Sequence, residues 1–88
     1  MPKIPVTIYT LPSCVQCEST KRQMDKLGIH YDVVDLTTVP DKLAEFKDKY
    51  GLTSAPIVTT DTKIWSGFRY DKIQSLAHHL FSTERKND

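Results

Sequence analysis

The sequence predicts an α/β domain in which a four-stranded mixed sheet is flanked by three helices, in the order β-α-β-α-β-β-α. Three observations carry that prediction. Short β-branched and aromatic runs alternate with stretches of helical periodicity. The chain opens with a strand–helix–strand unit, and such units close as right-handed parallel crossovers. Two short apolar runs near the end are separated by a few residues only, the spacing of a hairpin. At 88 residues the chain holds one domain. Three helices suffice to cover both faces of a small sheet.

The first strand is Val6 to Tyr9, introduced by Pro5 and ended by Leu11-Pro12-Ser13. A helix follows from Cys14 to Leu27. Cys17, Thr20, Met24 and Leu27 fall on one of its faces, and Glu18, Arg22, Asp25 and Lys26 lie largely elsewhere. Ser13 is the expected N-cap and Gly28 the C-terminal stop. Tyr31 to Leu36 reads as the second strand. Thr37 or Thr38 is expected to cap the second helix, which runs to Tyr50 with Pro40 in its first turn and an apolar stripe of Leu43, Phe46 and Tyr50. Ile57 to Thr60 and Lys63 to Ser66 form the third and fourth strands around an Asp61-Thr62 turn. The last helix carries Ile73, Leu76, Ala77, Leu80 and Phe81 at i, i+3, i+4, i+7, i+8. The domain is thus expected over residues 1–81. Residues 82–88 are charged, lack apolar pattern and are expected to fray.

Composition narrows the function classes. Lys and Arg number 12 and Asp and Glu 11, so the chain has no electrostatic footprint for nucleic acid or an anionic membrane. No apolar run approaches the ~18 residues of a membrane span, and the first residues lack the pattern of a secretory signal. A cytoplasmic monomer is expected, in a compartment where thiols stay reduced. The chain has two cysteines, three positions apart. A bridge across so small a loop adds little stability, so the pair reads as reactive rather than structural.

Cys14-Val15-Gln16-Cys17 therefore carries the chemistry. A Cys-x-x-Cys pair after a strand and at a helix start, in a βαβ context, is a redox signature. Cys14 sits where the first helical N–H groups lack intrahelical partners and the helix dipole is positive. Both favour the thiolate and lower a cysteine pKa from ~8.5 into the ~3.5–7.5 range. Cys17 lies one turn on, on the buried face. The reachable Cys14 is thus the expected nucleophile and Cys17 the resolving thiol, together forming a redox-active disulfide. The competing reading is half of a zinc site. Tetrahedral zinc needs four ligands, and no third cysteine exists. His78 and His79 are adjacent and point about 100° apart on a helix, and His30 lies in a loop or strand start. No metal ligand set and no cofactor are expected.

Two further features stay open on the residues alone. Ala55-Pro56 opens the third strand, and a trans bond is the plain reading because cis accounts for only ~5–6% of X–Pro bonds. Trp65-Ser66-Gly67-Phe68-Arg69 reads either as a strand with a buried aromatic and a turn, or as a docking surface of interface composition.

Together these pieces resemble the thioredoxin/glutaredoxin superfamily, and within it the NrdH-redoxin branch of glutaredoxin-like proteins that work like thioredoxins. The matching residues are Val6-Thr7-Ile8-Tyr9-Thr10, Pro12-Ser13-Cys14-Val15-Gln16-Cys17, Ala55-Pro56-Ile57-Val58, and Trp65-Ser66-Gly67-Phe68-Arg69 with Asp71. The resemblance runs from about Val6 to Phe81 and implies a thioredoxin-like, glutaredoxin-like fold. It implies that Pro56 is cis and faces the cysteines, leaving the Ala55 backbone to pair with an incoming peptide. It implies that Trp65 to Arg69 contact partners. It also implies electron flow from NADPH through thioredoxin reductase to the disulfide of a class Ib ribonucleotide reductase. Tyr70 departs from the family pattern, which commonly has Pro there, and this loosens the first turn of the last helix. Three alternatives remain: a glutathione-dependent glutaredoxin, a metal or iron–sulfur module bridging two chains, and a redox-sensing interaction domain whose disulfide alters binding rather than carrying electrons. Glutaredoxins of the first kind usually carry Gly-Gly followed by an acidic or hydroxyl residue at this helix start, where this chain has Ser66-Gly67 followed by Phe68-Arg69.

Overall fold

The strand β1, Thr7–Thr10, is an inner strand of the sheet, and the chain runs from its C-terminal end to the cysteines. The structure is a computed structural model that describes residues 5–84. After β1 come α1 (Val15–Lys26), β2 (Asp32–Asp35), a 3-10 turn (Leu36–Thr38), α2 (Pro40–Tyr50), β3 (Ile57–Thr59), β4 (Ile64–Ser66) and α3 (Tyr70–Glu84). The sheet order is β2-β1-β3-β4. β2 lies parallel to β1, while β3 is antiparallel to both β1 and β4. This is the thioredoxin-like fold, with the mixed sheet the sequence predicts.

Alternation along the strands divides the core in two. Ile8 stands opposite Val33 and Val58, and Val58 opposite Trp65. Ile8, Val58 and Trp65 pack with Met24 of α1 and Ile73, Leu76 and Ala77 of α3. On the other face Ile57, Tyr9 and Ile64 meet Leu36 and Phe46. The predicted buried face of α1 is observed: Cys17, Thr20 and Met24 are buried and Leu27 packs on the same cluster. α2 buries less than its stripe suggests. Phe46 is inside, edge-on to Tyr9 at 4.9 Å, but Leu43 and Tyr50 remain 37% and 47% exposed.

The helix starts differ from expectation. Ser13 is not the cap of α1, because it sits in the left-handed region at φ 58. A capping residue is extended, and that role falls to Cys14 at φ -100, ψ 104. Nor do Thr37 and Thr38 cap α2. They form the 3-10 turn, whose start is capped by Asp35, with the Thr37 N–H donating to its carboxylate at 2.8 Å. Pro40 keeps the preceding Val39 out of helical geometry, so α2 begins at Pro40 with no side-chain cap. At the other end, α3 continues to Glu84, three residues beyond the apolar pattern that ends at Phe81. Residues 85–88 of the expected tail lie outside the described residues. His30, His78 and His79 are all exposed.

Candidate functional site

β1 delivers the chain to the site, and Leu11, Pro12 and the left-handed Ser13 turn it into α1. Cys14 is half-buried at the mouth of that turn, and Cys17 beneath it is 1% exposed. The two are joined by a disulfide, with their Cα atoms 5.2 Å apart. The Cys17 N–H donates to Cys14 Sγ at 3.1 Å. That N–H is one of the groups a helix start leaves without an intrahelical partner. Once the disulfide opens, it is a ready donor to a Cys14 thiolate, and the positive helix end adds to the same preference.

The other sequence-predicted residues are tied to the cysteine segment through hydrogen bonds from backbone N–H groups. The Ala55–Pro56 bond is cis. Pro56 is buried, and its carbonyl accepts from the Gly67 N–H at 2.8 Å. Gly67 has φ 85, a backbone conformation that side chains disfavour. The next N–H, of Phe68, donates to Gln16 Oε1 at 3.0 Å. Hydrogen bonds thus connect the Pro56 loop, the loop before α3 and the cysteine turn. Trp65 is set apart from the rest of its motif. Its ring lies in the core at 4% exposure, and its indole N–H is buried without a hydrogen-bond partner. Its side chain is therefore not part of the surface. The exposed members of the stretch are Phe68 and Arg69, with Ser66 and Gly67 half-buried. Arg69 forms a two-pronged pair with Asp71, Nε to Oδ1 at 3.1 Å and Nη2 to Oδ2 at 2.9 Å. This pairing draws the Asp71 carboxyl below the ordinary carboxylate range. Gln16, in the Cys-x-x-Cys spacer, has no separate role in the sequence reading. Its role as a bridge, 52 residues long, left no local signal.

An open groove of about 550 Å³ borders the cysteines, and none of Gln16, Pro56, Gly67 and Phe68 lines it. Leu11, Cys14, Val15 and Cys17 supply its apolar part, and Glu18, Lys21 and Asp35 its charges. Lys21 and Glu18 pair at 2.8 Å. The Thr37 hydroxyl and N–H hold the Asp35 carboxyl below its usual range. Tyr31 closes the far end of α1 by donating its hydroxyl to Asp25 Oδ1 at 2.9 Å. Partial burial, then that carboxylate, push the phenol up from 10.0 to about 12. A second groove, of about 400 Å³, lies between α2 and the β3–β4 hairpin and contains no cysteine. Among the described residues no cluster of three or more His, Cys, Asp or Glu side chains could hold a metal ion.

A dithiol pair at a helix start, with one sulfur reachable and the other shielded, is equipped for thiol–disulfide exchange. The glutaredoxin family model matches residues 6–65. The chain belongs to the glutaredoxin family. Within that family it sits with the NrdH-redoxins. It is 41% identical to the glutaredoxin-like protein NrdH of Salmonella typhimurium over 71 residues, 81% of this chain and 86% of the relative. The gene 56 protein of Mycobacterium phage D29 is 33% identical over 91% of this chain and 90% of its own length. Among solved structures, NrdH-redoxin of Escherichia coli superposes with a TM-score of 0.74 at 39% identity, covering 82% of this chain and 93% of that one. That protein is described as glutaredoxin-like with a thioredoxin-like activity profile. Membership makes this family chain a thiol–disulfide oxidoreductase whose Cys14–Cys17 pair is its redox-active disulfide. No described helix is long and apolar enough to cross a membrane.

Proposed function

We propose that this chain is a dithiol electron carrier of the cytoplasm that draws electrons from NADPH through thioredoxin reductase and delivers them to a class Ib ribonucleotide reductase. The observation that carries the chemistry is the asymmetry of the pair: Cys14 caps α1 with a helix N–H on its sulfur, and Cys17 is buried beneath it. In the reduced chain the Cys14 thiolate attacks one sulfur of the acceptor disulfide, and the other sulfur leaves as a thiolate that takes up a proton. Cys17 then loses its proton and attacks Cys14. This closes the Cys14–Cys17 disulfide and releases the acceptor as a dithiol. Two electrons and two protons pass to the acceptor, and no cofactor is needed. The reductase returns the two electrons to close the cycle.

The acceptor docks along the Ala55–Pro56 segment and the loop before α3. The Ala55 backbone, next to the cis Pro56, pairs with the extended acceptor segment in the manner of strand addition. Phe68 and Arg69, backed by Ser66 and Gly67, receive the partner's surface, and Trp65 supports them from within. The half-exposed ring of Phe68, at 37%, beside the cation of Arg69 has the make-up of an interface anchor. The similarity to the NrdH proteins supports a thioredoxin-type reductase as donor.

NADPH consumption with a disulfide substrate tests this directly. One cuvette holds the chain with thioredoxin reductase, the other the chain with glutathione and glutathione reductase. Turnover in the first alone is expected. Turnover in the second alone replaces the carrier with a glutathione-dependent glutaredoxin and leaves the cysteine roles standing.

A further inference from the structure

Gln16 stands in the spacer between the two cysteines, next to Cys17. Its side-chain oxygen accepts the Phe68 N–H at 3.0 Å, across 52 residues. Phe68 lies just before α3, where backbone N–H groups have no intrahelical acceptor. The neighbouring Gly67 N–H is taken by the Pro56 carbonyl at 2.8 Å. A Cβ built on Gly67 would stand 3.5 Å from Gln16 Oε1, so the carboxamide lies directly against this loop. The loop before α3 therefore hangs from two anchors, one on the approach to β3 and one between the two cysteines. The backbone that carries the second anchor is held as well. Thr20, the one buried polar residue among those described, donates its hydroxyl to the Gln16 backbone carbonyl at 2.8 Å.

We propose that Gln16 is a positioning residue for protein substrates: its carboxamide fixes Phe68 and Arg69 relative to Cys14 and takes no part in the exchange of sulfur bonds. The inference rests on the reading of Phe68 and Arg69 as a docking surface. Without the acceptor, the Phe68 N–H turns to water and the loop loses its tie to α1. A protein substrate must then order that loop as it docks, which costs affinity. A small disulfide touches the sulfur and not the loop, so it is indifferent to the change.

The test uses the full chain, reduced in advance and freed of reductant. It is mixed with insulin as a protein disulfide or with dithiobis(nitrobenzoate) as a small one. The dithiol becomes the Cys14–Cys17 disulfide while the substrate disulfide becomes two thiols. Acid quenching, thiol alkylation and mass measurement give the rate at each substrate concentration, with no reductase present. Gln16→Met keeps the length and removes the acceptor. Gln16→Ala also removes it, and Gln16→Glu keeps an acceptor oxygen in place. Gln16 is exposed, so all three are accommodated.

The Met and Ala variants are expected to raise the half-saturating insulin concentration about three- to tenfold, the loss of one net hydrogen bond, with the maximal rate kept. Their rate with the small disulfide stays as in the parent. Gln16→Glu restores half-saturation, judged as the ratio of insulin to small-disulfide efficiency, which cancels any effect of the added charge on thiol reactivity. Equal slowing on both disulfides, an unchanged insulin half-saturation, or failure of Glu to restore it overturns the inference alone. A parent chain that is oxidised by neither disulfide overturns the carrier reading as well.

Discussion

Two helices on the same sheet begin in opposite ways. α1 starts with Cys14, whose sulfur takes the Cys17 N–H at 3.1 Å and stays accessible at the surface. α2 starts at Pro40 behind a 3-10 turn, and the carboxylate of Asp35 caps that turn rather than the helix. At α2 the free N–H groups are a problem of chain entry, reduced by a proline that has none to offer. At α1 the same kind of group is put to use on a reactive atom. What separates a structural helix start from a chemical one is the element standing at the N-cap, and the backbone turn that brings it there.

The largest expected effect breaks the comparison at the cap of α1. Cys14→Ser is expected to abolish reduction of a disulfide substrate. Cys17→Ser leaves the nucleophile but nothing to resolve it, so a mixed disulfide with substrate accumulates. Non-reducing gels and intact mass distinguish them: a covalent adduct is expected with Cys17→Ser and none with Cys14→Ser. Equal trapping by both would reverse or erase the assigned roles.

A second prediction compares what stands behind each helix. Met24 of α1 is fully buried, against Ile73 and Ala77 of α3 in the same cluster. Leu43 of α2 is 37% exposed. Met24→Ala is expected to cost about 2–5 kcal/mol, the range for truncating a fully buried side chain, and Leu43→Ala under about 1 kcal/mol, as befits a partly exposed site. Urea midpoints at constant slope measure both. Similar losses would mean that α2 is packed as tightly as α1 and that the sheet has two equal faces.

The same contrast separates what could be read in the sequence from what could not. The period of α1 and α3 gave their buried faces correctly, because Cys17, Thr20, Met24 and then Ile73, Leu76, Ala77 repeat at helical spacing and are in fact covered. The stripe Leu43, Phe46, Tyr50 repeats just as well, yet only Phe46 is buried. Periodicity states which face turns inward, not how much neighbouring structure exists to cover it. The caps were misplaced for a related reason. Ser13 has the ideal capping side chain, but its φ of 58 is set by the turn out of β1, and a residue type does not announce that. The cysteine pair was legible as redox chemistry from spacing alone. The cis geometry of Pro56 was not, and came only through family resemblance, since most X–Pro bonds are trans. The tie from Gln16 to Phe68 joins residues 52 apart and has no sequence pattern at all.

The smallest effect concerns the cap on the α2 side. The Thr37 hydroxyl and N–H donate to the Asp35 carboxylate at 2.7 and 2.8 Å and hold its pKa below the ordinary value. A carboxyl that ionises more readily folded than unfolded contributes stability above the unfolded pKa, near ~3.9, and loses it as pH falls through the lowered folded value. Asp35→Asn keeps an oxygen that can cap the turn but removes the titration. The stability difference between parent and variant is therefore expected to be steady at neutral pH and to shrink below about pH 4, as the parent loses its ionised cap. Urea midpoints measured in parallel across that range give this difference directly. A difference that does not change with pH would show that the Thr37 bonds favour the protonated and ionised cap alike. The start of the α2 side would then be a matter of shape, and only the start of α1 a matter of charge.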